Sequence, residues 1–179
     1  AHGQASVDIT DLVVTRGPWN APVPEPELLR VPVVHVEAGL TIGPGAITLA
    51  PAVVSGPNSR LDVTTIFDLR QKPLGLDIQV LGGEIDMDDL GNRIVLQEVD
   101  GRGHIAASIV GPSNRLVITG GLELDGFEFR GWDFGSVAGD VHWAAPGDLE
   151  FTGLRSQVGR SDFEAEVRVL FDDRKRGGD

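Results

Sequence analysis

Apolar and polar residues alternate in short segments throughout the last third of this chain, and no helical stretch separates them. Val141-His142-Trp143, Leu149-Glu150-Phe151 and the run from Phe163 to Phe171 each carry an apolar residue at every second position. Successive side chains of a strand point to opposite faces of a sheet, so each segment has one apolar and one polar face. The pattern predicts a meander of two-faced strands, whose apolar side must be covered by protein or by a ligand.

Glycine, proline, aspartate and asparagine occupy the breaks between the alternating segments. Gly43-Pro44-Gly45 lies between two such segments and is a strong hairpin signal. The segment with helical character, Met87 to Leu90, is too short to change the fold class. The alternation also extends toward the N-terminus. In the segment from 61 to 69 it predicts a common face for Leu61, Val63, Thr65, Phe67 and Leu69.

These patterns predict an all-β fold. We expect an extended, curled antiparallel sheet of about a dozen short strands, which forms a groove. The alternative that the pattern leaves open is a β-sandwich or a β-solenoid, in which the chain covers its own apolar face.

A repeat supports a regular, repetitive sheet. The segment from Gly56 to Val63 (GPNSRLDV) matches the segment from Gly111 to Ile118 (GPSNRLVI), and the two lie 55 residues apart. Each copy is a small polar turn followed by an alternating strand, which is typical of repetitive architectures. The predicted organisation is a single domain over 1–179, with a less regular, proline-rich entry over 1–55, repeat-like units over 56–110 and 111–173, and a basic, glycine-containing tail over 174–179.

The charge of the chain limits its predicted partners. Fifteen basic and 27 acidic residues give a formal net charge of −12. A nucleic-acid-binding protein would normally carry a basic stripe, and an anionic membrane surface would repel such an acidic chain. No segment approaches the roughly 20 apolar residues of a membrane span. Because the chain opens with Ala1 rather than Met, we expect any membrane anchor to lie outside it.

Residues that could carry chemistry do not form a recognised catalytic or metal-binding motif. The chain has no cysteine, which excludes thiolate metal sites and thiol catalysis, and its four histidines lack metal-ligand spacing. Asp86, Asp88 and Asp89 could bind calcium, but the segment lacks the glycine and the distal glutamate of an EF-hand loop. The alternation also predicts that Asp86 faces solvent. We therefore predict a non-enzymatic protein without a metal or a cofactor.

Four segments in the second half of the chain resemble the TamB family of translocation and assembly module proteins, within the broader AsmA-like group of Gram-negative envelope proteins. They are Val110 to Leu116 (VGPSNRL), Leu122 to Phe129 (LELDGFEF), Asp133 to Trp143 (DFGSVAGDVHW) and Asp148 to Val167 (DLEFTGLRSQVGRSDFEAEV). The resemblance is strongest over roughly the last third of the chain and weaker from Val7 to Gly103.

The resemblance implies a fold, a location and a function. Members of this family are long proteins with an inner-membrane anchor and a β-groove across the periplasm. They are implicated in phospholipid passage and in outer-membrane protein assembly with a barrel partner. This chain would be one section of such a groove, without the anchor and without the C-terminal domain. Its expected ligands are phospholipid acyl chains, and binding of the barrel partner would involve other parts of the full protein.

If the groove exists, one face of each alternating strand should line it and hold acyl chains. The predicted lining residues are Leu76, Ile78, Val80, Leu122, Leu124, Phe127, Phe129, Val141, Trp143, Leu149, Phe151, Phe163, Val167, Val169 and Phe171. The alternative function is a structural or interaction scaffold, a sandwich or solenoid with a self-covered core and no ligand.

Overall fold

Alternating segments of the chain form one open antiparallel sheet. The structure, a computed structural model, describes residues 1–15, 27–90, 99–144 and 149–169. Its strands are β1 (His2–Thr15), β2 (Glu27–Ile42), β3 (Ala46–Ser55), β4 (Arg60–Asp68), β5 (Gly75–Asp86), β6 (Val99–Pro112), β7 (Val117–Phe129), β8 (Trp132–Asp133), β9 (Ser136–Ala144), β10 (Leu149–Val158) and β11 (Ser161–Val169). A four-residue 3₁₀ helix, Met87–Leu90, follows β5. The predicted all-β fold is confirmed.

Apart from the two-residue β8, each strand pairs with the strands next to it in the sequence. The order across the sheet is β1-β2-β3-β4-β5-β6-β7-β9-β10-β11, and the two-residue β8 pairs with β7 outside this path. The edge strands β1 and β11 do not pair with each other, so the sheet stays open. Within the described ranges no second sheet packs on it, and the main contacts join adjacent strands, apart from those of the 3₁₀ helix. The described residues thus form the predicted extended sheet and not the alternative sandwich.

None of the helices among the described residues is long and apolar enough to span a membrane.

Glycine-containing bulges lie inside two of the long strands. The Gly82-Gly83 pair lies within β5, where the register against β6 shifts between Val80 and Glu84. The Asp125-Gly126 pair likewise lies within β7, where Gly126 has a φ of 60°. Glycine adopts a positive φ at little cost, so it supplies the extra residue of a bulge without ending the strand.

Burial of side chains in this single-layered sheet indicates that the sheet is curled. Ala52 and Leu124 are each only 4% exposed, although no second layer of described residues lies over them. A flat single sheet would leave such side chains open to water. Curvature brings side chains of neighbouring strands together, and bulges are the usual cause of such bending.

Both copies of the sequence repeat form tight turns, at opposite ends of the sheet. In the turn from β3 to β4 the amide of Gly56 donates to the carbonyl of Ser59 at 2.9 Å. In the turn from β6 to β7 the amide of Arg115 donates to the carbonyl of Pro112 at 2.7 Å. Three antiparallel strands, β4, β5 and β6, lie between the two turns, which places the turns at opposite ends. One continuous sheet includes both repeat-like segments.

The prediction that Asp86 faces solvent is wrong. Asp86 is 3% exposed, because β5 ends here and the chain enters the 3₁₀ helix, which packs against β2, β5 and β6. Arg102 lies opposite Asp86 on β6, and its Nε lies 2.6 Å from Asp86 Oδ2. The ion pair compensates the buried charge, although Oδ2 accepts no hydrogen bond among the described residues.

A histidine links the edge strand β1 to the sheet. His35 Nδ1 lies 2.6 Å from Asp8 Oδ1 across the β1–β2 pair, and His35 Nε2 lies 3.5 Å from Glu37 Oε1. Hydrogen bonding to Asp8, and then to Glu37, raises the pKa of His35 above its ordinary value of 6.5. The protonated imidazole therefore interacts more favourably with its surroundings in the folded chain than in the unfolded chain.

We expect the stability of the β1–β2 pair to fall as the pH rises. A raised pKa means that the contribution of His35 is complete below its unfolded-state pKa and is lost as the pH rises through its folded-state pKa. The melting temperature should therefore drop more between about pH 6 and about pH 8 in the wild type than in His35→Gln. Asp8→Asn should likewise show a smaller drop in melting temperature than the wild type over this pH range. An equal drop in all three proteins would contradict this assignment.

Candidate functional site

Strand register aligns apolar side chains into rows that cross the sheet. Residues directly opposite each other on paired strands share a face, so a row can be followed from β2 to β10. The first apolar row is Leu40, Leu49, Thr65, Ile78, Ile109, Ile118, Trp143 and Leu149. Thr65 is its one polar member and is 7% exposed. The row contains no charged residue.

A second apolar row lies beside the first and continues to the outermost strand. Its members are Ala38, Ala52, Val63, Val80, Ala107, Gly120, Val141, Phe151 and Val167. It contains no polar or charged side chain. We call the side of the sheet that carries these two rows the apolar face.

Charged residues collect in rows on the opposite face. One row is Arg60, Glu84, His104, Glu123, Ala138, Arg155 and Glu164, and every one of these side chains is exposed. Ion pairs cross strands there, with 2.7 Å between Arg168 Nη2 and Glu150 Oε1. Exposed pairs of this kind contribute little to stability. The opposite face also carries the exposed apolar residues Ile66, Val110 and Val117.

The apolar face is a shallow surface that becomes more exposed toward β11. Val63 on β4 and Val137 on β9 are each 7% exposed, and no described side chain is less than 2% exposed. On β11, Phe163 is 55% exposed and Val167 is 43% exposed. Neighbouring strands of the same sheet therefore shield the middle of the face, while its β11 side meets solvent directly.

The predicted lining residues whose side chains the structure describes lie on the apolar face. Ile78, Trp143 and Leu149 belong to the first row, and Val80, Val141, Phe151 and Val167 to the second. Register places Leu76, Leu122, Leu124, Phe129 and Phe163 beside these rows, and Phe127 lies two residues before Phe129 on β7. The backbone of Val169 pairs with Leu149, and Phe171 lies outside the described residues.

The prediction missed much of the apolar face on β2, β3, β4 and β6. Leu49, Val63 and Ile109 lie in the two rows but were not among the predicted lining residues. The alternation from Leu61 to Phe67 was a usable signal for Val63. Ala52 and Gly120 gave no such signal, because small residues mark an apolar face only through their neighbours on adjacent strands.

The acidic segment considered for calcium makes structural contacts instead. Asp89 accepts hydrogen bonds from the backbone amide of Asn58 at 2.8 Å and from its side-chain amide at 3.2 Å. Asp86 pairs with Arg102, and a hydrogen bond to Asp100 raises the pKa of Asp88. Across the described ranges, no group of histidines and carboxylates is arranged to hold a metal ion.

No protein-family model, curated protein or solved structure matches this chain. The resemblance to the TamB and AsmA-like proteins therefore stays a prediction that rests on the four sequence segments.

Proposed function

We propose that this chain is a non-enzymatic section of a periplasmic lipid-conducting groove. The apolar face would hold phospholipid acyl chains, and the groove would support outer-membrane biogenesis. The observation that carries the proposal is a pair of uncharged rows crossing the sheet without a second layer of described residues over them. A continuous apolar surface that no second layer covers is typical of a binding surface.

The dimensions of the rows suit an acyl chain. The first apolar row crosses eight strands, from β2 to β10, with seven strand spacings between its ends. At about 4.8 Å per spacing the row follows a path of roughly 34 Å along the sheet. An acyl chain occupies about half of the roughly 30 Å hydrocarbon thickness of a bilayer. One row is therefore long enough to contact a whole acyl chain.

The separation of charge between the two faces supports the same proposal. A lipid tail on the apolar face would meet no charged side chain in either row, so no ionic group would have to be desolvated. The charged rows lie on the opposite face, where water solvates them. Each Å² of apolar surface that a tail covers would contribute about 25 cal/mol.

Adding a carboxylate to the apolar face should reduce lipid occupancy. Val167→Asp is the preferred variant, because Val167 is 43% exposed and its replacement should leave the protein folded. After incubation with vesicles of phosphatidylethanolamine and phosphatidylglycerol, the wild type should retain phospholipid through gel filtration. The variant should retain clearly less, measured by native mass spectrometry and lipid extraction.

Two adjacent residues of β7 supply a matched control. Ile118 lies in the first apolar row, and Thr119 is exposed on the opposite face. Ile118→Asp should lower lipid retention, whereas Thr119→Asp adds the same charge and should not. A wild-type protein that stays free of lipid, or equal retention in all variants, would exclude the lipid conduit and favour a ligand-free scaffold.

A further inference from the structure

The outer edge of β11 has an unoccupied pairing surface within the described part of the chain. β11 pairs with β10 alone, and no described strand lies on its other side. Every described side chain from Ser161 to Arg168 is exposed. The backbone amides and carbonyls on the outer side of such a strand can receive a further strand.

Side chains of β11 indicate the chemistry of a strand that would fit there. Phe163, Ala165 and Val167 continue the apolar face, whereas Asp162 and Glu164 lie on the opposite face together with Glu166 and Arg168. Opposite charges placed directly across from each other on paired strands are favourable, and like charges are unfavourable. An incoming strand should therefore alternate apolar residues with basic ones.

A second copy of β11 fits this edge less well than a basic strand does. Antiparallel pairing over the full strand is centred on Ala165 and would place Glu164 opposite Glu166 twice, and Asp162 opposite Arg168 twice. Glu164 already lies 3.6 Å from Arg155 on β10, and Arg168 already pairs with Glu150. Pairing of two β11 strands would therefore oppose two pairs of like charges, which a partner strand with basic residues opposite Glu164 and Glu166 avoids.

We propose that the outer edge of β11 binds a partner polypeptide by strand addition, and that this partner alternates apolar and basic side chains. The partner's apolar residues would extend the apolar face by one strand. Its basic residues would lie beside the carboxylates of Asp162, Glu164 and Glu166. This interaction goes beyond lipid binding and does not depend on it, because it uses the strand edge and the charged face.

A synthetic peptide that alternates valine and lysine tests the proposal. We expect the fluorescently labelled peptide to bind the full chain in anisotropy measurements. Hydrogen exchange should show new protection at every second amide of β11, because alternate amides point toward the added strand. The same peptide with an N-methyl group on every amide has no N–H donor on either edge, cannot form the ladder and should not bind.

Charge-reversal pairs separate edge recognition from general attraction to an acidic protein. Glu164→Lys combined with Glu166→Lys should weaken binding about ten-fold. Glu84→Lys combined with Glu123→Lys makes the same charge change on the same face, away from the edge, and should leave binding nearly unchanged. All four glutamates are exposed, so both proteins should fold. The proposal fails if the peptide does not bind, if the N-methylated peptide binds equally, or if both pairs weaken binding alike.

Discussion

Leu124→Asp is expected to lower the free energy of unfolding by roughly 3 kcal/mol, one of the two largest effects that this structure predicts. Leu124 is 4% exposed and lies on β7 between Gly103 and Val137 of the adjacent strands. An aspartate there would place an unpaired carboxylate among apolar neighbours. Urea denaturation followed by circular dichroism should show a lower midpoint with a similar slope.

The control for this variant is a carboxylate on the other face of the same strand. Thr119→Asp should change the free energy of unfolding by less than about 0.5 kcal/mol, because residue 119 is exposed. Equal midpoints for the two variants would mean that the apolar face tolerates charge even at one of its most shielded positions. The curled arrangement of β6, β7 and β9 would then be wrong.

Gly103→Ala is expected to disrupt the pairing of β6 with β7. A Cβ at residue 103 would collide with the backbone carbonyl oxygen of Glu123 and would lie 2.8 Å from Leu124 Cα. Both obstacles are backbone atoms of the paired strand, so they cannot rotate away as a flexible side chain would. We expect the free energy of unfolding, measured by urea denaturation, to fall by about 3 kcal/mol, which is at the upper end for an overpacked site.

Gly121→Ala is the matched control for the glycine variant. Its nearest obstacle is Asp140 Oδ1 at 3.6 Å, an ordinary contact distance. Alanine also restricts the unfolded chain, so this substitution should be neutral or stabilising by up to about 1 kcal/mol. A similar loss in the two variants would show that the close approach at Gly103 does not decide the result.

Local alternation was sufficient to predict the fold class and the direction of many side chains. Ile78 and Trp143 could be placed on the apolar face because side chains alternate with a period of two along any strand. Strand lengths could not be predicted in the same way. Whether Gly82-Gly83 ends a strand or forms a bulge depends on its pairing with the neighbouring strands.

Properties that depend on contacts between strands could not be predicted from the sequence. Burial of Asp86 depends on Arg102 of the next strand and on the 3₁₀ helix, and neither contact leaves a pattern around residue 86. The number of layers is likewise a property of the whole chain. Alternation is the same in a sandwich and in a single open sheet. The sequence therefore could not show whether a second layer covers the apolar face.

The strand order gives this protein a nearly one-dimensional topology. Since each long strand hydrogen-bonds only to those before and after it in the sequence, contacts at one end of the sheet do not involve residues at the other. Stability in such an arrangement is approximately a sum of terms for neighbouring strands, and folding can begin at any hairpin and spread outward. Evolution can therefore lengthen or shorten a sheet of this kind by whole hairpins, while the strands that remain keep their partners.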